Sequence, residues 1–523
     1  MEKFRTLILI LILALLVRSS FYGNYFTGDA IDTVGPARNY AEIGRAAVYG
    51  TADTQALPVA HIEDGLYFNF THPPMKTLLY SLWAVAFGFN AFMIFLPIIF
   101  GLLSIVFIYL IGRQLYSEKV GLIAALLAAL LRYHFYSSAI AFGDNFLMFT
   151  VAASMFFFIR FLHTKRTIYV APFTIFIIIG FLTKLSSVTL IPALLATAFL
   201  MRDKVKFRKS FPLIIAALAL SIAAVFVSFP LTEALTGVSN GDFNFFDSYV
   251  RTFFLAGSGN QDAAYEKAFY ISSFIWQLTP FFAALLLLSL IKLKRDRSFL
   301  ILFSWLAITF LIGFASSGQD FQRLMIITIA PAVIIAAKFI EGLNWKKDTA
   351  HIIFGAAAVF LIAMLSGLND MLPHYNISIV GFFFLLGGVF IFLPKNRQLL
   401  LGASVGLSVF FLFGTGFFVQ INSSAASQLT HAVQERGYPY DELWTDRDIS
   451  LYLAPSGEAS FLRRPGLSED FLRGNNVRYL AFYSIYEEDK IIETSKLCDD
   501  EPFFAQVNGH KVGLACALTS APK

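Results

Sequence analysis

Charge is the scarcest resource in this sequence: Asp, Glu, Lys and Arg together make up only 14% of its 523 residues, against roughly 25% in an ordinary soluble domain. Such a chain cannot use water as its main solvent. Its formal net charge of +5 does not point to nucleic acid, because in an apolar chain the placement of Lys and Arg matters more than their sum. Cysteine is nearly absent as well. The two present, Cys498 and Cys516, both lie near the C-terminus, which excludes a metal framework of the CxxC type. They leave a single disulfide open, should that end face an oxidising compartment. Internal repeats and low-complexity linkers are missing. The first apolar run, from about Thr6 to Val17 after Lys3 and Arg5, is followed by Arg18-Ser19-Ser20-Phe21-Tyr22 rather than by a small-x-small cleavage site. It is therefore expected to be a retained first span and not a removable signal.

What is abundant is apolar sequence. Hydrophobic residues account for 57% of the chain, and its 59 Phe and 21 Tyr are spread through long runs instead of one core. A bilayer core of about 30 Å needs about 20 apolar residues per helix. Runs of that kind fall near 6–22, 90–112, 120–136, 145–162, 167–182, 188–201, 211–230, 271–291, 299–315, 323–340, 351–368, 377–393 and 399–419, about thirteen spans. The pair 167–182 and 188–201 is short. Alternate connections are basic, carrying Arg113 and Lys119, Lys165 and Arg166, Arg202 to Lys209, Lys292 to Arg297, Lys346 and Lys347, and Lys395 and Arg397. The positive-inside rule assigns these loops and the N-terminus to the cytoplasm.

The remaining loops then face outward, and two are long. Loop 23–89 carries Asp29, Asp32, Glu42, Asp53, Glu63 and Asp64, and loop 231–270 carries Glu233, Asp242, Asp247, Asp262 and Glu266. The apolar stretch 73–88 follows a Pro-Pro pair and is too short for a full span, so it reads as an interfacial or re-entrant helix. From 420 onward the composition becomes that of a soluble domain, with alternating segments such as Val477 to Tyr483 that predict strands. The expected architecture is a polytopic all-α membrane protein with about 13 transmembrane helices, its membrane domain over 1–419. A small extracytoplasmic α/β domain is expected over 420–523.

Several residues in this frame can carry chemistry. Asp29 and Asp32 open the first outer loop in Phe26-Thr27-Gly28-Asp29-Ala30-Ile31-Asp32, and Glu42 follows. A carboxylate at a helix end beside the membrane surface can accept a proton from a hydroxyl; it can equally cap a helix. Asp144, in Ala141-Phe142-Gly143-Asp144-Asn145, stands at the outer mouth of a later span, where capping and catalysis are compatible. Arg132 and His134 interrupt an apolar run near the same face, as functional groups or as snorkelling anchors. His72-Pro73-Pro74-Met75-Lys76 closes the first outer loop. Lys184, in Thr183-Lys184-Leu185, and Arg323 can hold a phosphate or anchor a helix end at headgroups.

Taken in order, these segments resemble the GT-C membrane glycosyltransferases, in particular the protein O-mannosyltransferases and the lipid A aminoarabinose transferases, over roughly residues 1–340. In that group an acidic motif opens the first outer loop, Pro-Pro-Leu closes it, and an Asp begins the fourth span. Asp29, His72-Pro73-Pro74-Met75 and Asp144 match these positions. Leu110-Ile111-Gly112-Arg113-Gln114-Leu115-Tyr116 is similar to the family's Gly-Arg-Arg-Leu-Phe turn, Gly180-Phe181-Leu182-Thr183-Lys184 to its Leu-Thr-Lys segment, and Gln322-Arg323-Leu324-Met325 to its Arg-Tyr-Leu-Leu. The family's Asp-Glu pair is Asp29-Ala30 here, which leaves Asp32 as an alternative catalytic position. The Trp-Trp-Asp motif of oligosaccharyltransferases is absent from the sequence.

The resemblance implies transfer of a sugar from a polyprenyl- or dolichyl-phosphate donor to a hydroxyl of a protein, lipid or glycan acceptor outside the plasma membrane. It implies an inverting mechanism with the first-loop Asp as base and basic side chains on the departing phosphate. Whether a divalent cation is needed stays open. The alternative class is a transporter or lipid-linked sugar flippase, but such proteins place ionisable groups near the bilayer midplane and show inverted repeats, whereas the acids here gather in outer loops.

Overall fold

The computed structural model describes residues 2–20, 31–44, 46, 48–49, 59–63, 66–69, 74–88, 93, 95–139, 143–202, 207–237, 274, 278, 280–315, 326–342, 424–439, 443–445, 460–461, 478–483, 491–492, 494–507 and 510–518. The expected spans at 351–368, 377–393 and 399–419 lie outside them.

The described part of 1–419 is mostly helical. In chain order its helices are α1 Glu2–Ser20, α2 Ile31–Ile43, α3 Met75–Phe87, α4 Phe95–Leu115, α5 Glu118–Leu130, α6 Arg132–Ala139, α7 Gly143–Thr164, α8 Val170–Thr183, α9 Leu190–Leu200, α10 Phe207–Thr236, α11 Pro280–Lys292, α12 Arg297–Ala315 and α13 Ile326–Glu341. Among the described residues four stretches are long and apolar enough to cross a membrane, namely Phe95–Leu115, Asp144–Thr164, Phe211–Thr236 and Arg297–Phe314. α5 and α6 together qualify as a fifth, bent by 64° at their junction. The short pair anticipated from the sequence appears as the shorter apolar helices Thr167–Thr183 and Ser186–Leu200.

Local chemistry explains the breaks. α5 begins where Ser117, in an extended conformation, accepts a hydrogen bond from the Val120 amide, an N-cap reinforced by Glu118 in the first turn. α5 ends at Leu131, whose backbone is extended (φ −70°, ψ 127°). α8 ends in the same way at Lys184 (φ −159°, ψ 128°), followed by a short 3-10 turn over Leu185–Thr189. α4 and α5 cross closely at Gly112 and Gly121. A Cβ on Gly121 would stand 2.6 Å from the Tyr109 carbonyl oxygen and 3.0 Å from the Arg113 nitrogen, so only glycine lets these backbones meet.

One large core runs through α1 and α4 to α13, with Trp305, Phe158, Phe173 and Phe181 fully buried in it. A second, smaller cluster joins α2 to α3 and α4 through Val34, Ala37, Tyr80, Ala84, Leu96 and Ile98. The opposite side of α3 exposes Leu82, Val85 and Phe87. A short helix with one face packed and one face apolar and bare suits a membrane interface.

Two sheets complete the described chain. β1 Val48–Tyr49, β2 Val59–Glu63 and β3 Leu66–Asn69 form a three-stranded antiparallel sheet in the order β1-β3-β2, within the first long loop. Beyond residue 420, a helix over 424–436 packs on a five-stranded sheet of order β5-β4-β6-β8-β7, built from β4 Leu443–Thr445, β5 Ser460–Phe461, β6 Tyr479–Tyr483, β7 Phe503–Val507 and β8 His510–Ala517. β4 pairs parallel with β5 and β6, while β8 pairs antiparallel with β6 and β7. Ala425, Leu429, Val433, Leu443, Ala481 and Ala515 close the core between helix and sheet. Cys498 and Cys516 are joined in a disulfide that ties the segment before β7 to β8.

Candidate active site

The carboxylate of Asp144 sits in the first turn of α7 and is almost wholly buried, with 4% of its side chain exposed. Two groups meet it. Nζ of Lys184 lies 2.9 Å from its Oδ1, and the Tyr133 hydroxyl, from α6, lies 3.5 Å from its Oδ2. The next residue, Asn145, donates to the Pro97 carbonyl at 2.5 Å and so fixes the start of α7 against the start of α4. Lys184 arrives at this position because α8 stops there. α7 and α8 run antiparallel and approach closely where Gly180 faces Thr150. The C-terminal end of α8 therefore lies beside the N-terminal end of α7.

The start of α3 reaches the same end of the bundle. Met75 and Leu79 pack against Phe146, Phe149 and Ala153 of α7, and the rings of Phe100, Phe107, Phe146, Phe149 and Phe176 form a contiguous aromatic cluster there, with centroids 4.3–6.3 Å apart. Contacts of this kind hold the three helix ends in register. Lys76, in the first turn of α3, is buried. α2, whose first turn carries Asp32, packs along α3.

A second polar group lies at the junction of α1, α4, α5 and α6. The fully buried Arg18 donates to the carbonyls of Ala14 at 2.9 Å and Ala129 at 3.2 Å, and its Nη2 lies 2.6 Å from Nδ1 of His134. Nε2 of His134 lies 2.8 Å from Oγ of Ser104, which donates to the Gly101 carbonyl at 2.7 Å. A guanidinium only donates, so Nδ1 of His134 must accept and Nε2 must carry the proton.

Of the candidates drawn from the sequence, Asp144 and Lys184 are thus brought into contact. His134 lies in the interior, shared between Arg18 and Ser104, and Arg132 begins α6 and is half-buried. Glu42 pairs with Arg38 one turn earlier on α2 at 2.9 Å. The side chain of Asp32 and all of Asp29, His72 and Arg323 lie outside the described residues. Among the described residues no three His, Cys, Asp or Glu side chains gather as a metal site. Tyr133 and Arg18 were not singled out by sequence reasoning. Their signal was faint: a tyrosine beside an arginine in an apolar run, and an arginine at a helix end that reads as an ordinary membrane anchor.

Residues 71–229 match the family described as dolichyl-phosphate-mannose-protein mannosyltransferase. Over the whole chain the fold is similar to that of ArnT from Cupriavidus metallidurans bound to undecaprenyl phosphate, with a TM-score of 0.62, 13% identity and 99% of each chain covered. Matched segment and fold together bear out the expected likeness to GT-C glycosyltransferases. It is also similar to the oligosaccharyltransferase of Archaeoglobus fulgidus in its apo form, with a TM-score of 0.53, 13% identity and coverage of 93% of this chain and 70% of the other. The archaeal oligosaccharyltransferase AglB from the same organism, in complex with an inhibitory peptide and a dolichol-phosphate, gives a TM-score of 0.51 and 11% identity, with 99% and 74% covered. No curated protein matches the chain in sequence. The expected multi-pass membrane protein is met in its coarser form, as a mostly helical chain with several apolar helices long enough to cross a membrane among the described residues.

Proposed function

We propose that the chain moves a sugar from a polyprenyl- or dolichyl-phosphate carrier to an acceptor hydroxyl at the outer face of the membrane, with inversion at the anomeric carbon. Asp29 is the base in this reading. It takes the hydroxyl proton as the acceptor oxygen bonds to the anomeric carbon, and the carbon–oxygen bond to the lipid phosphate breaks, so that the carrier leaves as the lipid phosphate. Asp144 orients the acceptor, while Lys184 and Arg323 hold the departing phosphate. Asp32 is the rival for the role of Asp29, and His72, Glu42 and Arg132 border the site.

The observation that carries this reading is the Asp144–Lys184 contact of 2.9 Å at the bundle end where α3 also begins. Helix α1 ends nine residues before Asp29, and α2 begins two residues after it. An ammonium carries three donors, so Lys184 can keep Asp144 and still offer a hydrogen bond to a phosphate oxygen. The lipid phosphates held by ArnT and AglB favour a polyprenyl-phosphate carrier as donor. The Cys498–Cys516 disulfide favours an oxidising, extracytoplasmic location for 420–523, and basic alternate loops favour a plasma-membrane protein with its N-terminus in the cytoplasm.

Mass spectrometry of surface glycans, glycoproteins and lipids from a deletion strain tests the proposal and names both substrates. One sugar should disappear from one class of acceptor and return with the wild-type gene. Unchanged profiles in all three classes would reject the transfer reaction.

A further inference from the structure

We propose that Arg18, His134 and Ser104 form a positioning clamp that holds the end of α1, the helix that precedes Asp29 in the sequence, in register with the helices that bring Tyr133 and Asp144 together. This inference rests on the catalytic reading above. It starts from an electrostatic oddity: Arg18 is 1% exposed, and the acceptors described for it are two carbonyls and a neutral imidazole, with its Nε making no hydrogen bond. Burying a guanidinium without an acidic partner is expensive. A simple membrane anchor would snorkel to the surface instead.

The geometry shows what the burial accomplishes. Ala129 is one of the last residues of α5, and the extended Leu131 that follows frees carbonyls at that helix end. Arg18 supplies a donor to one of them and to Ala14 on its own helix, so a single side chain staples the C-terminal end of α1 to the break between α5 and α6. His134 continues the chain of hydrogen bonds from Arg18 through Ser104 to the Gly101 carbonyl, which adds α4. The Ser138 hydroxyl returns to the His134 carbonyl at 2.6 Å and packs on Gly101, where a Cβ would collide with it. Helix α6 is thereby fixed on α4 along its length.

Two consequences reach the proposed site. Tyr133 is the neighbour of His134 on α6, and its hydroxyl faces Oδ2 of Asp144, opposite the oxygen taken by Lys184. Arg18 lies eleven residues before Asp29, at the last turn of α1. The clamp therefore sets the place from which the Asp29 segment departs and the direction from which Tyr133 approaches Asp144. Arg18 and His134 touch neither reactant. They act through the two carboxylates.

The test pairs a distance with a rate in the full-length protein. Nitroxide labels at the exposed Ser19 of α1 and Ile175 of α8 report the separation of the two helices by double electron–electron resonance. Arg18→Met, His134→Leu and the milder Ser104→Ala should broaden or shift that distance distribution. They should also lower kcat by roughly 10- to 100-fold, the loss typical of misplacing reacting groups by about an ångström, while binding of undecaprenyl phosphate used as probe changes by less than about twofold. His134→Asn, whose side-chain oxygen can replace Nδ1 as acceptor for Arg18, should restore both readouts. An unaltered distance distribution in folded Arg18→Met and Ser104→Ala proteins would overturn the clamp, whatever the activity. An altered distribution with wild-type kcat would overturn the positioning role. If the wild-type protein transfers no sugar at all, the catalytic reading fails by itself, and the distance measurement still decides whether the clamp exists.

Discussion

Lys184 and Asp144 stand 40 residues apart in sequence and 2.9 Å apart in space, with only 15% and 4% of their side chains exposed. Neither partner can be removed without leaving the other charged and nearly dry, which makes the pair a coupled unit. Lys184→Ala should weaken binding of a lipid phosphate by roughly ten- to a hundredfold, the equivalent of one charge-assisted hydrogen bond of about 1.5–3 kcal/mol. A double-mutant cycle with Asp144→Asn should show a coupling of about 0.5–3 kcal/mol in thermal unfolding. Additive effects on unfolding together with wild-type affinity for undecaprenyl phosphate would reduce Lys184 to a headgroup anchor.

The catalytic carboxylate is tested by amides. Asp29→Asn keeps shape and removes proton acceptance, so turnover should fall by about 10²–10⁴-fold with donor binding largely intact. Asp32→Asn is the matched control. Normal turnover in the first variant and loss in the second would move the base by three positions. Full activity in both, and in Asp144→Asn, would remove the mechanism.

The α4–α5 crossing makes a prediction that does not depend on catalysis. At Gly121 a methyl group would meet the backbone of α4 at Tyr109 and Arg113, and backbone cannot step aside as a side chain can. Gly121→Ala should destabilise the detergent-solubilised protein by about 1–3 kcal/mol, visible as a lowered unfolding temperature. Gly437→Ala, where a Cβ would meet nothing within 4 Å, should lose stability through its positive φ of 64° instead, and its loss should be confined to the C-terminal unit.

The orientation can be read with thiols. Glu435, with 66% of its side chain exposed on the helix over 424–436, is a site that tolerates labelling. Glu435→Cys in a Cys498→Ser/Cys516→Ser background should react with an impermeant reagent in intact cells. Reaction only after lysis would place residues 420–523 in the cytoplasm and the proposed site on the wrong face.

Much of this protein is determined by its sequence alone, and the reason is solvent. A chain with so few charges and so many apolar runs has to satisfy its backbone inside helices within a bilayer, so the helical segments, the acidic loops and the change of composition near 420 are legible in order. Individual motif residues such as Asp144 and Lys184 are legible too, because each is a lone charge in an apolar setting. Tertiary structure alone decided their relationship. The stop of α8 near Lys184 is legible as the gap between the apolar runs 167–182 and 188–201, but that Asp144 and Lys184 form a pair follows from the antiparallel packing of α7 on α8, which leaves no mark in composition. Nor could the sequence separate His134 as a substrate group from His134 as the centre of a buried link. Its partners, Arg18 and Ser104, come from helices 116 and 30 residues away, and only packing brings them within hydrogen-bonding distance. The 64° bend between α5 and α6 likewise has no proline or glycine to announce it. It arises where the extended Leu131 ends one helix and the side chain of Arg18 takes up a carbonyl left near that end.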